Sequence, residues 1–429
     1  MNTTPTKPKK PTMQDEADRL FALQMSLSPK TKHTDRAVIA AFLAFLVIFG
    51  VLLFVLPQKD FSEQENRDLQ KFPALSSPSS GSFAERLGEG KFLDRYFSGK
   101  FSEEFSDFCA DQFPARDFFI GVKSTVELLL GKGENNGVLL GRNGYLITKM
   151  EDSGEKYVNT NAKAVKAFAE RMRAENVPVT LAAAGRTADI MTGCYPALYD
   201  TALPEQPWAL LNSAMAETGE NLTYLDLRPT LTAHAEAGEQ VMYRTDHHWT
   251  TYGAYLAYCD ILRSWDMEPM PLDFFTRETA SDAFYGTAWR TAGIKWVKPD
   301  AIEFFRYPGD EDYTLTVVGK DTTFAGFYDR SYLDVTDKYS AFLSGNQAYE
   351  TIKKNDSAPR ETLLLIKDSF GHSLAPFLAY HFDLEIVDLR YYKQPVVTLV
   401  KETGCDRALI LYNMASLVET SNLSLLGME

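Results

Sequence analysis

The sequence predicts an α/β fold, a parallel sheet with helices on both faces, preceded by one transmembrane helix and a short helical spacer. Three observations point there. The run Ala37–Leu56, "AVIAAFLAFLVIFGVLLFVL", carries no charge. From about Gly137 onward, short apolar segments alternate with helix-spaced ones. Polar stretches rich in Ser and Pro separate these two parts. The chain's 429 residues exceed the roughly 250–300 at which a single core stops growing, so one large domain plus an accessory region is expected. The expected division is a tail over 1–36, a span over 37–56, a linker and helical spacer over 57–135, and the α/β domain over 136–429.

The apolar run is the first element. Roughly 20 residues at about 1.5 Å each cross a hydrocarbon core of about 30 Å. No polar stripe interrupts it, and "FVLPQKDFSEQ" offers no convincing signal-peptide cleavage site. Lys7, Lys9, Lys10, Arg19, Lys30, Lys32 and Arg36 precede the run, whereas Asp60, Glu63, Glu65 and Asp68 follow it. By the positive-inside rule the N-terminus faces the cytoplasm and everything after Leu56 lies outside, in a single-pass arrangement in the cell membrane.

Next, "FLDRYFSGKFSEEFSDF" and "FFIGVKSTVELLL" have helical spacing, broken at "DQFPARD". "GVLLGRNGYLI" reads as a hairpin turning at Asn143-Gly144. A helix over about Asn161–Glu175 leads into the strand "VPVTLAAA", and "NLTYLDL" is another strand. The C-terminal order is strand "TLLLIK", loop "DSFGHS", helix "LAPFLAYHF", strand "LEIVDL", helix "PVVTLVKETG" and strand "RALILYN". Continuous apolar strands separated by helices imply a parallel sheet buried on both faces. Reactive groups in such sheets sit beyond the carboxyl ends of the strands, where Ser369 and Asn413 fall.

Composition excludes some functions. A net charge of −14 argues against nucleic acid as a partner, because phosphate-backbone binding needs a basic surface. Cys109, Cys194, Cys259 and Cys405 form no C-x-x-C pair, which leaves three disulfide connectivities or a set of buried thiols open and gives no ground for a redox role.

Two segments could carry chemistry. In "KDSFGHS", Ser369 on a strand-to-helix turn is either a nucleophile beside its own N–H or a helix cap. In "YRTDHHWTTYGAY", Asp246 and His248 are two apart, which in an extended segment puts both side chains on one side and His247 on the other. Asp246, His247 and His248 could also supply metal ligands, but only two of three would converge and no H-x-x-x-H spacing supplies more. Trp249 either stacks on a sugar face or packs beneath the loop.

The stretch "TDHHWTTYGAYLAY", with "LLLIKDSFG", "VDLRYY" and "LILYN", resembles the DHHW family. That family is similar to polysaccharide O-acetyltransferases of the alginate-acetylation type, whose domain resembles a circularly permuted SGNH hydrolase. Further matches are "FSEQENRDLQKFP", "DQFPARDFF", "GRNGYLI", "FYGTAWRTAGIKWVKPDAIEFF" and "DKYSAFLSGN". The resemblance implies a three-layer SGNH-like domain with Asp246 as orienter, His248 as base and Ser369 as nucleophile. It implies an oxyanion site built from Ser369 N–H and Asn413; Asp368 and Trp249 are further candidates at the substrate, and Arg390 either binds substrate or forms a structural salt bridge with Asp388 or Asp368. Lys367 stands where the family's glycine precedes Asp-Ser, and Arg390 falls where an oxyanion glycine is expected.

The expected activity is acetyl transfer to a cell-envelope or exported polysaccharide, without a cofactor or metal. The acetyl group would come from a multi-pass membrane O-acyltransferase partner. A non-catalytic carbohydrate-binding or envelope assembly module and a carbohydrate O-acetyl esterase are the alternatives.

Overall fold

The computed structural model describes residues 19, 31–62, 67–73, 97–150, 154–196, 199–200, 202–320, 322–356 and 358–428. The expected cytoplasmic tail and the Ser/Pro-rich linker fall largely outside them. Two compact units emerge, one reaching to Arg116 and the other running from Asp117 to Glu429.

In the first unit, Thr31–Val55 is a helix. Its Thr34–Val55 portion has a mean hydropathy of 3.2 and is long and apolar enough to cross a membrane. A second helix, Lys100–Asp111, is amphipathic and buries Phe108.

The second unit is built on an eight-stranded sheet. Its strands in chain order are β1 (Val179–Ala184), β2 (Leu222–Asp226), β3 (Tyr313–Val317), β4 (Thr322–Ala325), β5 (Tyr349–Lys354), β6 (Thr362–Lys367), β7 (Asp383–Val387) and β8 (Arg407–Asn413). They lie side by side as β4-β3-β5-β7-β6-β8-β1-β2. The five strands from β7 to β2 are parallel. The β4, β3 and β5 edge is antiparallel, an extension that sequence reading did not foresee. Its strands alternate in burial, as one-sided strands do.

The central strands read as continuous apolar runs because both their faces are covered. Leu363 and Leu365 of β6 join the core beneath helices α2 (Thr251–Ser264) and α3 (Gly371–Ala379). Leu364 and Ile366 join the opposite core, which holds α1 (Glu155–Ala174) and α4 (Val396–Thr403). Side chains of successive strand residues point to opposite faces, so one strand feeds two cores. The layers are therefore helix, sheet, helix, as expected of the SGNH-like class.

The predicted hairpin is present: Val138–Leu140 pairs antiparallel with Leu146–Thr148. Asn143 and Gly144 turn between them at φ 58° and 79°, left-handed angles that Asn and Gly tolerate better than other residues. The four cysteines are free thiols, and Cys194, Cys259 and Cys405 are buried.

Strand order also fixes where a site can form. The chain leaves β6 for β7 on one side and then returns to β8 on the other. This reversal opens a crevice beyond the carboxyl end of β6, and Ser369 follows that strand by two residues.

Leu365, wholly buried at the centre of β6, should lose about 2–5 kcal/mol of stability on replacement by Ala. Val335→Ala, at a site 45% exposed, should stay within about 0.5 kcal/mol of the parent. Urea denaturation of the full chain in detergent measures both.

Candidate active site

The Asp-His-His-Trp segment is a bent loop, not an extended strand. A lone antiparallel bridge joins Met242 to Trp249, and Tyr243 N donates to His248 O at 3.1 Å. Between these ends Arg244–His248 are bends. Asp300, 1% exposed, holds the loop from below. It accepts from Thr245 N (2.8 Å), Thr245 Oγ1 (2.7 Å), Arg244 Nε (3.1 Å) and Gln240 Nε2 (2.8 Å). Thr250 then caps α2, accepting from Gly253 N at 3.1 Å.

The bend brings Asp246 to His248 through backbone and side chain together. Asp246 Oδ1 accepts from His248 N at 3.0 Å and from His248 Nδ1 at 2.5 Å. Its Oδ2 accepts from Thr287 N at 2.7 Å and from Thr287 Oγ1 at 3.0 Å. Burial by itself would raise this carboxyl, but His247, His248 and the Thr287 N–H outweigh it and hold it well below the usual carboxylate range. Asp246 is thus an anion with four donors, and acceptor-only groups of that kind fix the tautomer of a neighbouring imidazole. His248 carries its proton on Nδ1.

That leaves His248 Nε2 with a lone pair, and Ser369 Oγ lies 2.7 Å from it. The serine hydroxyl donates to this nitrogen. Asp246 and His248 are buried and Ser369 is half-buried, so the hydroxyl is the member of the chain open to an incoming molecule. Among the described residues no hydrogen bond occupies the Ser369 N–H, which keeps that donor available.

His247 does not point away from His248. The two ring centroids are 3.9 Å apart, because the backbone is bent here and the strand alternation does not apply. Its Nδ1 lies 2.6 Å from Thr287 Oγ1, whose proton goes to Asp246, so His247 donates. Possible ligand atoms of Asp246, His247 and His248 lie within 4.8 Å of one another. A metal there would displace the Asp246–His248 and His248–Ser369 bonds, since those atoms are already engaged.

Three expected roles change. Asn413 is 3% exposed, and its Nδ2 donates to Gly185 O at 3.0 Å and Ala184 O at 3.3 Å. Its Oδ1 accepts from Ala415 N at 2.8 Å. The amide clasps β8 to β1 and caps the next helix, so it is not an oxyanion donor. Asp368 is likewise buried, accepting from Asn413 N, Ser416 Oγ and Phe370 N at 2.8, 2.7 and 3.0 Å, and is a brace for the serine turn instead of a substrate ligand. Trp249 is fully buried, with Nε1 donating to Ser373 Oγ at 2.9 Å and Phe370 O at 3.2 Å. It packs under the loop, and no sugar can reach its face.

Arg390 sits after β7, part-exposed, with Nε and Nη2 on Asp388. The Lys367 side chain is wholly buried, its stem against Gly371 and its Nζ 3.8 Å from Asp388 Oδ2.

Sequence reasoning missed Tyr339 and Thr287. The Tyr339 ring stacks on His248 at 3.9 Å and 10°, and its hydroxyl donates to Ser369 O at 3.2 Å. Both lie inside segments whose one sequence signal is the family resemblance, "DKYSAFLSGN" and "FYGTAWRTAG".

Residues 220–387 match the family model described as DHHW protein. A DHHW family protein from Eubacterium siraeum is similar in structure, with a TM-score of 0.54, 22% identity, and 69% of this chain and 96% of that one covered. Bacillus cereus PatB1 gives a TM-score of 0.55 at 16% identity over 66% of this chain and 98% of its own, and has also been solved with a sulfonyl adduct. The O-acetyltransferase domain of Pseudomonas putida AlgJ is a weaker likeness, with a TM-score of 0.42, 16% identity, and 67% of this chain and 94% of that one covered. No curated protein matches the sequence. Residues 220–387 thus match the DHHW model, within a domain that has the fold of the DHHW and PatB1 structures.

Proposed function

We propose that the protein is a membrane-anchored acyltransferase that moves an acetyl group through Ser369 to a hydroxyl of a cell-envelope or exported polysaccharide. The observation that carries this reading is the unbroken hydrogen-bond chain from Asp246 through His248 to Ser369, at 2.5 and 2.7 Å. A serine so paired is the arrangement that activates a weak nucleophile.

In the first half-reaction Ser369 Oγ attacks the acetyl carbonyl while His248 Nε2 takes its proton. Asp246 stabilises the imidazolium that forms, and the Ser369 N–H faces the oxyanion. The intermediate expels the donor's leaving group, which receives the proton from His248, and acetyl-Ser369 remains. In the second half His248 deprotonates an acceptor hydroxyl, which attacks the acetyl carbonyl. Ser369 leaves with the proton returned by His248. Water as acceptor would make the same machinery an esterase.

The helix Thr34–Val55 supports anchoring, and the flanking charges support a cytoplasmic N-terminus. With the site outside the cell, acetyl groups activated in the cytoplasm need a carrier, and a multi-pass membrane O-acyltransferase is the partner proposed. No cofactor enters the scheme.

The full chain in detergent should gain one sulfonyl group at Ser369 from phenylmethylsulfonyl fluoride, read by intact mass and peptide mapping. Ser369→Ala should gain none; modification elsewhere at undiminished rate would contradict the reading. Acetyl-Ser369 formed from an activated acetyl ester should pass to added oligosaccharide faster than to water. Faster loss to water would make the protein an esterase.

His248→Ala should slow Ser369 acylation by about 10²–10⁴, the usual worth of a positioned general base. His247→Ala should cost under about tenfold, because His247 touches Thr287 and not the serine. Equal losses in the two variants would contradict these assignments.

A further inference from the structure

The stem of the loop that carries Asp246 and His248 borders a cavity that acyl transfer at Ser369 leaves unused. Its volume is about 350 Å³, within the usual range for a small-molecule site. Gln240 and Tyr243 line it from the arm entering the loop, and Thr250 and Thr251 from the arm leaving it. Arg277 and Glu303 join them from the antiparallel pair Thr276–Phe284 and Asp300–Arg306.

Two donors on this wall have no acceptor among the described residues. Tyr243 is 1% exposed, yet its hydroxyl has no hydrogen-bond partner there, and the neighbouring Thr251 Oγ1 is committed to Glu303 O at 2.6 Å. A buried hydroxyl is seldom left so. Arg277 is exposed, with its Cζ 5.1 Å from the Tyr252 ring centroid and 5.0 Å from that of Phe305. No hydrogen bond or ion pair engages its guanidinium among the described residues, so two rings hold a cation whose N–H donors are free. Acceptors stand beside them. Tyr252 donates to Glu239 Oε2 at 3.0 Å, an oxygen that also contacts His234 Nδ1, and this leaves Glu239 Oε1 open. The Glu303 carboxylate is half-buried and likewise unengaged among the described residues.

The wall thus carries one cation, Arg277, and two carboxylates, Glu239 and Glu303. A cationic ligand would meet the first and an anionic ligand the other two, whereas a sugar hydroxyl accepts from the guanidinium or donates to the carboxylates with equal ease. We propose that this cavity binds a neutral sugar unit of the polysaccharide, as a subsite beside the unit whose hydroxyl is acetylated. The inference deepens the proposed function and rests on its reading of the acceptor as a polysaccharide. The cavity wall is joined to the general base: Tyr243 N donates to His248 O at 3.1 Å, and the Tyr243 ring meets Tyr339 edge-on at 6.3 Å, the same ring that stacks on His248. A sugar bound here engages the loop that holds His248, and so keeps the polymer next to the acylated serine between encounters.

The test is titration calorimetry of the full chain, in a detergent without a sugar headgroup. The probes are neutral hexasaccharides of glucose, N-acetylglucosamine, mannose and xylose, with hexagalacturonate as the charged comparison. At least one neutral probe should bind, about tenfold or more tighter than hexagalacturonate, because the uronate carboxylates meet Glu239 and Glu303. Arg277→Ala should weaken that binding by about tenfold or more, the usual worth of a charged hydrogen bond. Tyr243→Phe should weaken it by about threefold or more, and should leave the stability of the free protein to urea no lower than the parent's, since the hydroxyl removed has no partner there. A hydroxyl with a purely structural role would lower that stability and spare the binding. Binding by none of the neutral probes, tighter binding of hexagalacturonate, or undiminished binding in either variant overturns the sugar site. Binding that both variants weaken, in a parent that phenylmethylsulfonyl fluoride fails to label at Ser369, upholds the sugar site and overturns the acyl-transfer reading alone.

Discussion

The site depends on one carboxylate. Asp246 is buried, and an ionised carboxylate taken out of water is costly unless its lone pairs are matched by donors. Two donors come from His248 and two from Thr287, so keeping Asp246 charged orders the imidazole, the loop and the turn that starts the short helix Thr287–Ala292. A Cβ on Gly286 would meet Asp246 Cβ at 2.2 Å, so only glycine lets that backbone come close enough for Thr287 to donate. The geometry at Ser369 follows from this clasp.

The surrounding fold holds the two halves of the site in register. The loop carrying Asp246 and His248 is fixed from below by Asp300 and from above by the Tyr339 ring stacked on His248. Ser369 comes from the other half, on a turn set by the end of β6 and braced by Asp368. Trp249 links the halves by donating to Ser373 of α3. Mutual support of this kind lets residues 121 positions apart meet at 2.7 Å.

Much of this was legible in the sequence, and the reasons are physical. Strands buried on both faces show as uninterrupted apolar runs, which revealed β1, β6, β7 and β8 and so placed Ser369 at a strand's carboxyl end. Asp246 and His248 were legible from their two-residue spacing, which put both side chains on one side, and they do meet, although through a bend instead of extended backbone. The argument from extended backbone failed for His247, since the loop is bent by contacts to Asp300 that no local pattern signals. Asn413 was assigned from its place after β8, yet its amide bonds Gly185, 228 positions away in sequence. Thr287, Tyr339 and Asp300 were invisible for the same reason: ordinary polar residues gain their roles only when distant segments meet. The antiparallel edge of the sheet was missed because its strands are half-exposed and carry no continuous apolar run.

The central claim is the protonation pattern of the relay: neutral His248 holds its proton on Nδ1 towards Asp246 and accepts at Nε2 from Ser369. Nitrogen-15 NMR of histidine-labelled full chain in detergent reads it directly, with His248→Gln used to assign the resonance. The account predicts a His248 ring protonated at Nδ1, with a strongly deshielded proton that is lost in Asp246→Asn. A His248 ring protonated at Nε2 at neutral pH, or one indifferent to Asp246→Asn, would contradict it.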